Sequence, residues 1–408
     1  MKLFSYIYIK KIIFFICLFL FTHLIFAKPE IIITLDNDFE SKRIGNFFSF
    51  YVDRQQLPLA IEEIATQKFD TLTHPRYILN FDFINFSKEE KIVWLKFQVL
   101  PDENLSDKKH FFLEVKSPLI DEIVFYHHEK GHWHTQVTGA HFSLRKRLFE
   151  HRTYVFDLHL TPKQVNTFYL KVTTADMMTI YPILHERNAF VKLALNEQMG
   201  FGVLYGLLFA VFVINFIYRL VYKKLIYTLF TLLILIGAMV IIRINGHSYV
   251  YIGTVEPWLE NRLVPLLILV FVVLLSLFSF KLLNHLLKEK FFYIGLIINI
   301  LISILFFIIT LFNASSWVIS SATVIGLFNV FAAFITSVYE VLRGERENKF
   351  FVTGSYLFFI GVLLTFFRFF DVIETNSFLG AYGFEMGFIG FVSLTTISLK
   401  LRNQNGEL

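Results

Sequence analysis

Seven apolar stretches in the second half of the chain limit what it can become. They lie near 199–218, 225–243, 261–280, 291–311, 317–339, 350–370 and 380–399. Each has the roughly 20 residues that a helix needs to cross a hydrocarbon core about 30 Å thick. Backbone groups in lipid must be satisfied within their own segment, so the expected architecture of this half is a seven-helix bundle. Hydrophobic residues make up 55% of the chain and charged residues only 17%, with 51 phenylalanines in 408 residues. Soluble domains carry about 25% charged residues, so a large part of the chain belongs in lipid.

The basic residues around the spans give the orientation, because short cytoplasmic loops are enriched in Lys and Arg. One side carries Arg219, Lys223, Lys224, Lys281, Lys288, Lys290, Arg343, Arg346, Lys349, Lys400 and Arg402, and the other Arg243, Arg262 and Arg368. Eleven against three places the region before the first span outside and the C-terminus inside. The net charge of +5 is spread over these loops and forms no single basic face, which argues against a nucleic-acid partner.

Residues 1–27 read as a secretory signal. Lys2, Lys10 and Lys11 form the basic start, Ile12 to Phe26 the apolar run, and Ala27 precedes Lys28-Pro29. Ile25 stands where a small residue is usual, so an uncleaved anchor remains the alternative. Phe15-Ile16-Cys17 lacks the small residue expected before a lipid-modified cysteine. Cys17 is the single cysteine, so the exported region has neither a disulfide framework nor a thiolate zinc site.

Residues 28–187 switch to alternation. Ile92 to Val99, Phe111 to Val115, Glu122 to Tyr126, Tyr154 to Leu158 and Phe168 to Val172 are short, β-branched and aromatic. Turn signals separate them, among them Pro101-Asp102, Ser117-Pro118, Lys130-Gly131 and Thr161-Pro162. The pattern predicts an all-β antiparallel sandwich, followed by the α-helical bundle over 188–400 and a short tail over 401–408. Leu57 to Gln67 reads as a short helix. Arg187 to Gln198 reads as a helical connector that runs into the first span without a Gly/Ser linker.

These residues resemble a known family. The head carries Trp94-Leu95-Lys96-Phe97, then Ser117-Pro118-Leu119-Ile120-Asp121-Glu122-Ile123-Val124-Phe125-Tyr126, Thr138-Gly139, Arg147 and His151-Arg152-Thr153-Tyr154-Val155-Phe156. The membrane half carries Tyr205-Gly206, Asn215, Tyr227, Ile244-Asn245-Gly246-His247 and Gly383-Phe384-Glu385-Met386, running on to Arg402. In this order they resemble the bacterial seven-transmembrane receptors with diverse intracellular signalling modules and a type 2 extracellular domain. The resemblance implies a jelly-roll-like periplasmic head for carbohydrate or another small ligand, an inner-membrane location, and helices that signal to a kinase, cyclase or phosphatase module. Only Leu401 to Leu408 follow Lys400, so the output module is expected to be missing and the cytoplasmic signalling partner to be a separate protein. A homodimer is left open.

The site candidates follow from residue chemistry. Phe142, Arg145, Arg147, His151 and Arg152 form a basic stretch with an interleaved aromatic, suited to an anionic sugar, and Trp133 could stack on a ring. Trp94 reads as core. His127 to His134 surround a Gly turn; His132 and His134 are weak metal candidates, so no metal or other cofactor is expected. Arg243, Arg368, Asp371 and Glu385 fall at similar depth and suggest an outer-leaflet ion-pair network, because desolvating charges is expensive. Asn215 and Asn329 suit amide bridges between helices. Arg343, Arg346 and Lys349 form the best cytoplasmic docking loop. There is no nucleophile elbow, P-loop, metalloprotease helix or kinase signature, so the chain reads as a receptor and not an enzyme. The competing reading is a transporter or envelope-assembly scaffold that captures a glycan or a partner protein.

Overall fold

The computed structural model describes residues 32–53, 59–71, 84–86, 92–106, 108–118, 120–142, 147, 149–174, 178–252, 257–282, 290–313, 315–342, 349–369 and 378–406. The signal segment 1–27 lies outside them, as do Arg145, Arg343, Arg346 and Asp371. The side chain of Arg368 is likewise outside the description.

The apolar runs of the head become strands. Chain order is β1 (Ile33–Leu35), β2 (Ser41–Arg43), β3 (Ser49–Val52), the short helix α1 (Ile61–Thr66), β4 (Asp70–Thr71), β5 (Ile84–Phe86), β6 (Ile92–Pro101), β7 (Phe111–Val115), β8 (Glu122–Glu129), β9 (His132–Thr138), β10 (Tyr154–Leu158), β11 (Asn166–Thr173), β12 (Met178–Ile180) and β13 (Pro182–Glu186). One sheet runs β4-β3-β6-β11-β8-β9, with β1 parallel on β6; the second runs β10-β7-β13-β2; β5 and β12 form a separate ribbon.

Side-chain alternation fixes which face is buried. Val93, Leu95, Phe97 and Val99 of β6 point at the second sheet and pack with Phe125, Phe168, Phe111, Leu113 and Phe156. The rings of Phe97, Phe168, Phe125 and Phe156 follow one another at centroid spacings of 5.1, 5.6 and 5.0 Å, which joins the two sheets. Trp94 points the other way, under Ile61 and Ile64 of α1, and is 1% exposed, as expected of a core tryptophan. The outer face of the second sheet is covered as well. Phe112 and Val155 meet Phe190 of the first long helix, so the sandwich sits against the membrane half on that side.

The membrane half contains α2 (Arg187–Tyr222), α3 (Leu225–Ile244), the short α4 (His247–Tyr251), α5 (Pro257–Leu282), α6 (Lys290–Phe312), α7 (Ser316–Leu342), α8 (Lys349–Phe369) and α9 (Phe378–Gln404). Among the described residues, six are long and apolar enough to cross a membrane; α8 contributes a shorter apolar stretch, Lys349–Thr365. All seven expected spans fall on these long helices. Both expected amides bridge them: Asn215 donates to Thr396 Oγ1 at 2.7 Å and Asn329 to Ser276 Oγ at 3.1 Å.

The head passes into the bundle without a hinge. β13 ends at Glu186, whose carboxylate accepts from the backbone amides of Asn188 (2.8 Å) and Ala189 (3.2 Å) and caps α2. With 36 residues, α2 is about 54 Å long, well over the hydrocarbon thickness. Its first turns therefore stand among the residues of the head.

Candidate functional site

The polar residues that hold head and bundle together are gathered at one joint. Strand β7 brings Glu114, and Lys116 follows it. The segment before β10 brings His151, Arg152 and Thr153, and α2 brings Glu197. The turn between α3 and α4 brings Asn245 and Gly246. Glu197 is the centre: its carboxylate takes Lys116 Nζ at 2.6 Å on one oxygen and Arg152 Nη2 on the other. Both side chains from the head are well covered, at 7% and 11% exposure, and Glu197 is at 11%.

From this pair the contacts run in both directions. Toward the head, Ser41 Oγ–H donates to His185 Nδ1 (2.7 Å), and His185 Nε2–H donates to Glu114 Oε2 (3.0 Å). Thr153 Oγ1 donates to the other Glu114 oxygen at 2.6 Å, and His151 Nδ1 lies 2.7 Å from Thr153 Oγ1. Toward the bundle, Arg152 Nη1 donates to the Asn245 carbonyl at 3.4 Å. Asn245 Nδ2 then donates to Glu385 Oε1 of α9 at 2.6 Å. Ser41 on the sandwich and Glu385 on the last helix thus stand at the two ends of this set of polar contacts.

Burial sets the electrostatics. Desolvation alone would raise the Glu114 carboxyl, but Lys116, the His185 hydrogen bond and the nearby His151 outweigh it and hold the group well below the usual carboxylate range. Desolvation would also weaken proton binding by Arg152, and the Glu197 carboxylate reverses the balance. Burial lowers His151 despite Glu114 nearby. Burial, with Arg152 and His151 adding to it, pushes His247 down to about 4. Both imidazoles are neutral at pH 7, and the His247 Nδ1 lies 2.9 Å from Tyr205 Oη.

A second contact crosses the same boundary. Tyr249 of α4 has the guanidinium of Arg243 4.3 Å from its ring centre and that of Arg147 at 5.8 Å. Arg147 also lies 4.6 Å from the Tyr154 ring. Gly246 closes the turn with φ +78, against Pro118 of the head.

The expected residues therefore part company. Arg147 and His151 are 9% and 6% exposed, and Arg152 is engaged with Glu197. This placement does not fit the solvated, sugar-facing surface expected of them, because apolar packing and bundle contacts cover them. Phe142 and Trp133 are half-buried elsewhere on the head, and Arg145 lies outside the described residues. Of the expected intramembrane charges, Arg243 and Glu385 come to the joint, at 2% and 5% exposure. Lys349 opens α8, exposed. His134 stacks across the hairpin on His127 at 5.0 Å, whereas His132 is exposed at the tip.

Sequence reading missed Glu114, Lys116, His185 and Glu197 as site residues. Lys116 and Glu197 are 81 positions apart, and no local spacing signals their pairing. Asn245 and Gly246 were visible within Ile244-Asn245-Gly246-His247, without a role.

Comparison with known proteins agrees with this division of the chain. A family described as 7TM diverse intracellular signalling matches residues 197–402, and one described as 7TMR-DISM extracellular 2 matches residues 45–186. No curated protein matches the chain. The first match begins at Glu197 and the second ends at Glu186, so the joint lies where the two meet. The chain belongs to the seven-transmembrane receptors with diverse intracellular signalling modules, in the group with the type 2 extracellular domain.

Proposed function

We propose that this receptor senses a small periplasmic ligand, of the carbohydrate class, on its sandwich and passes the event to the cytoplasmic ends of its helices in the bacterial inner membrane. The observation that carries the reading is the double engagement of Glu197 by Lys116 and Arg152. A helix residue gripped by two side chains of a rigid sheet moves with that sheet. The Glu186 cap, the covered face around Phe190 and the Arg152–Asn245–Glu385 path remove the slack that a flexible linker would leave.

A ligand shifts such a system only by binding one arrangement better than another, so the head must differ between states where the ligand touches it. Shifts of about 1–2 Å in a packed helix are typical of such transitions. The cytoplasmic readout surface in this reading is the set of inner helix ends, with Lys349 at the start of α8 in the partner-docking loop.

The test uses spin labels at Lys223 and Lys349, at the inner ends of α2 and α8, in the full chain in nanodiscs. Glu197→Gln, checked for retained helix content, is expected to shift the label-to-label distance distribution. An unchanged distribution in a folded variant sinks the transmission reading. Photocrosslinking in cells from Lys349 is expected to capture a signalling enzyme, and reproducible capture of envelope-assembly proteins would favour a scaffold instead.

A further inference from the structure

The hairpin β8–β9 carries a second cluster, more than a turn's length from the joint in sequence and used by none of its contacts. Strand register pairs His127 with His134 and Glu129 with His132. Residues two apart on a strand share a face, so His127, Glu129 and His134 project to one side, and His128 with Trp133 to the other.

Ligand-capable atoms of His127, Glu129 and His134 all lie within 4.8 Å of one another. His127 is 5% exposed, in a row with Phe168, yet its Nδ1 has no hydrogen-bond partner. Its Nε2 is 3.9 Å from Glu129 Oε2, beyond hydrogen-bond reach. A buried imidazole left in that condition costs free energy, and an ion at this position would recover it. A third imidazole, His159, also stacks on His127, at 5.2 Å.

We propose that His127, Glu129 and His134 bind one divalent transition-metal ion, with zinc as the fitting example. Two imidazoles and a carboxylate are a donor set for zinc, copper(II) or nickel(II), and too poor in oxygen for calcium. Metal bonds of about 2.0–2.2 Å bring donors to roughly 3.3 Å apart. The present spread closes to that by rotamer changes in His134, which is exposed, and Glu129, which is half-buried. Three protein ligands leave a position open. Glu129 lines a cleft of about 610 Å³ and His127 one of about 280 Å³, and His159 lines both. That position is therefore accessible to His159, to water or to a small anionic ligand.

The experiment titrates the full, tag-free chain in detergent with Zn²⁺ against a chromophoric chelator. One ion per chain is expected. His134→Ala and Glu129→Gln, both away from the core, are expected to weaken binding about tenfold or more. His128→Ala, on the opposite face of the same hairpin, should leave it unchanged, and Ca²⁺ should not compete. Absence of stoichiometric binding, or affinity in His134→Ala and Glu129→Gln unchanged from the unsubstituted chain, overturns the site. So does a loss in His128→Ala as large as theirs, which would mark an adventitious surface ion only.

Discussion

Arg152, just before a strand of the sandwich, and Glu197, about ten residues into the first long helix, form an ion pair across the boundary between head and membrane bundle. Lys116 shares the same carboxylate from a different strand end. Two anchor points on one sheet fix the helix in rotation as well as in height, which a single contact would not do.

Breaking this cluster from one side removes the carboxylate that Lys116 and Arg152 share. Glu197→Gln strands two cations at 7% and 11% exposure, and a loss of about 3–5 kcal/mol is expected. The double variant Glu197→Gln/Arg152→Gln should lose less than the sum of the two singles, because the second change removes a charge whose nearest carboxylate is already gone. Thermal unfolding of the four proteins in micelles gives the coupling. Additive losses would mean that the pair does not act as a unit.

Acid should loosen the joint. The His247 value is lowered from 6.5 to about 4, by burial first and then by Arg152 and His151, while Glu197 opposes. Between these values the unfolded chain binds a proton that the folded chain refuses, so stability rises with pH in this window. The contribution is complete above pH 6.5 and lost as pH falls toward 4, at about 3 kcal/mol for a shift of that size. His151, lowered in the same direction, adds to it. Below pH 4.5 Glu114 adds a further loss, since its folded carboxyl is held well under the unfolded value. His247→Gln should flatten the slope between pH 6.5 and 4 in denaturation midpoints. An unaltered slope would assign the acid sensitivity to His151 instead.

The outline of this molecule was legible where physics is local. Spans near 225–243 and 291–311 announce themselves by length and apolarity, and long strands such as Ile92–Pro101 by alternation. Short strands did not: Ser41–Arg43 is wholly polar in sequence and becomes a strand only because Pro182–Glu186 pairs with it. The same limit applies to the site. Arg147, His151 and Arg152 stood out as basic, but whether a basic stretch faces water or a neighbouring helix is decided by tertiary contacts such as Phe112 against Phe190. His127 and His134 were in view as a histidine-rich turn, and only the register showed that they face each other.

The turn at Gly246 should tolerate no side chain. Its φ of +78 lies in the left-handed region, and a Cβ there would come within 2.6 Å of Pro118 Cβ and 2.9 Å of the Arg152 carbonyl oxygen. The backbone conformation alone costs about 1–2 kcal/mol for alanine, before the collision with the head. Gly246→Ala is therefore expected to lower the unfolding midpoint and to speed amide exchange in the residues flanking Pro118 and Arg152. Unchanged exchange there would show that this turn does not bear on the head.

Among the described residues, the last two long helices approach each other closely at glycines on both sides. A Cβ on Gly387 would lie 2.7 Å from the Leu357 carbonyl oxygen and 2.9 Å from Gly361 Cα; one on Gly361 would lie 2.8 Å from the Gly383 carbonyl oxygen. These neighbours are backbone, so no rotamer change relieves them and the helices must separate. Small residues at such seams are how membrane helices gain packing in the absence of a hydrophobic driving force. Gly387→Ala and Gly361→Ala should each cost about 1–3 kcal/mol, as overpacking does elsewhere. Their combination should cost less than the sum, because the seam opens once. Gly202 and Gly206 on the first long helix provide the contrast, since a Cβ on either meets nothing within 4 Å. Alanine there should be neutral or stabilising, as helix propensity alone dictates. Reversible unfolding of the four single variants in bicelles separates the two outcomes, and equal effects at Gly387 and Gly206 would rule out a tight seam.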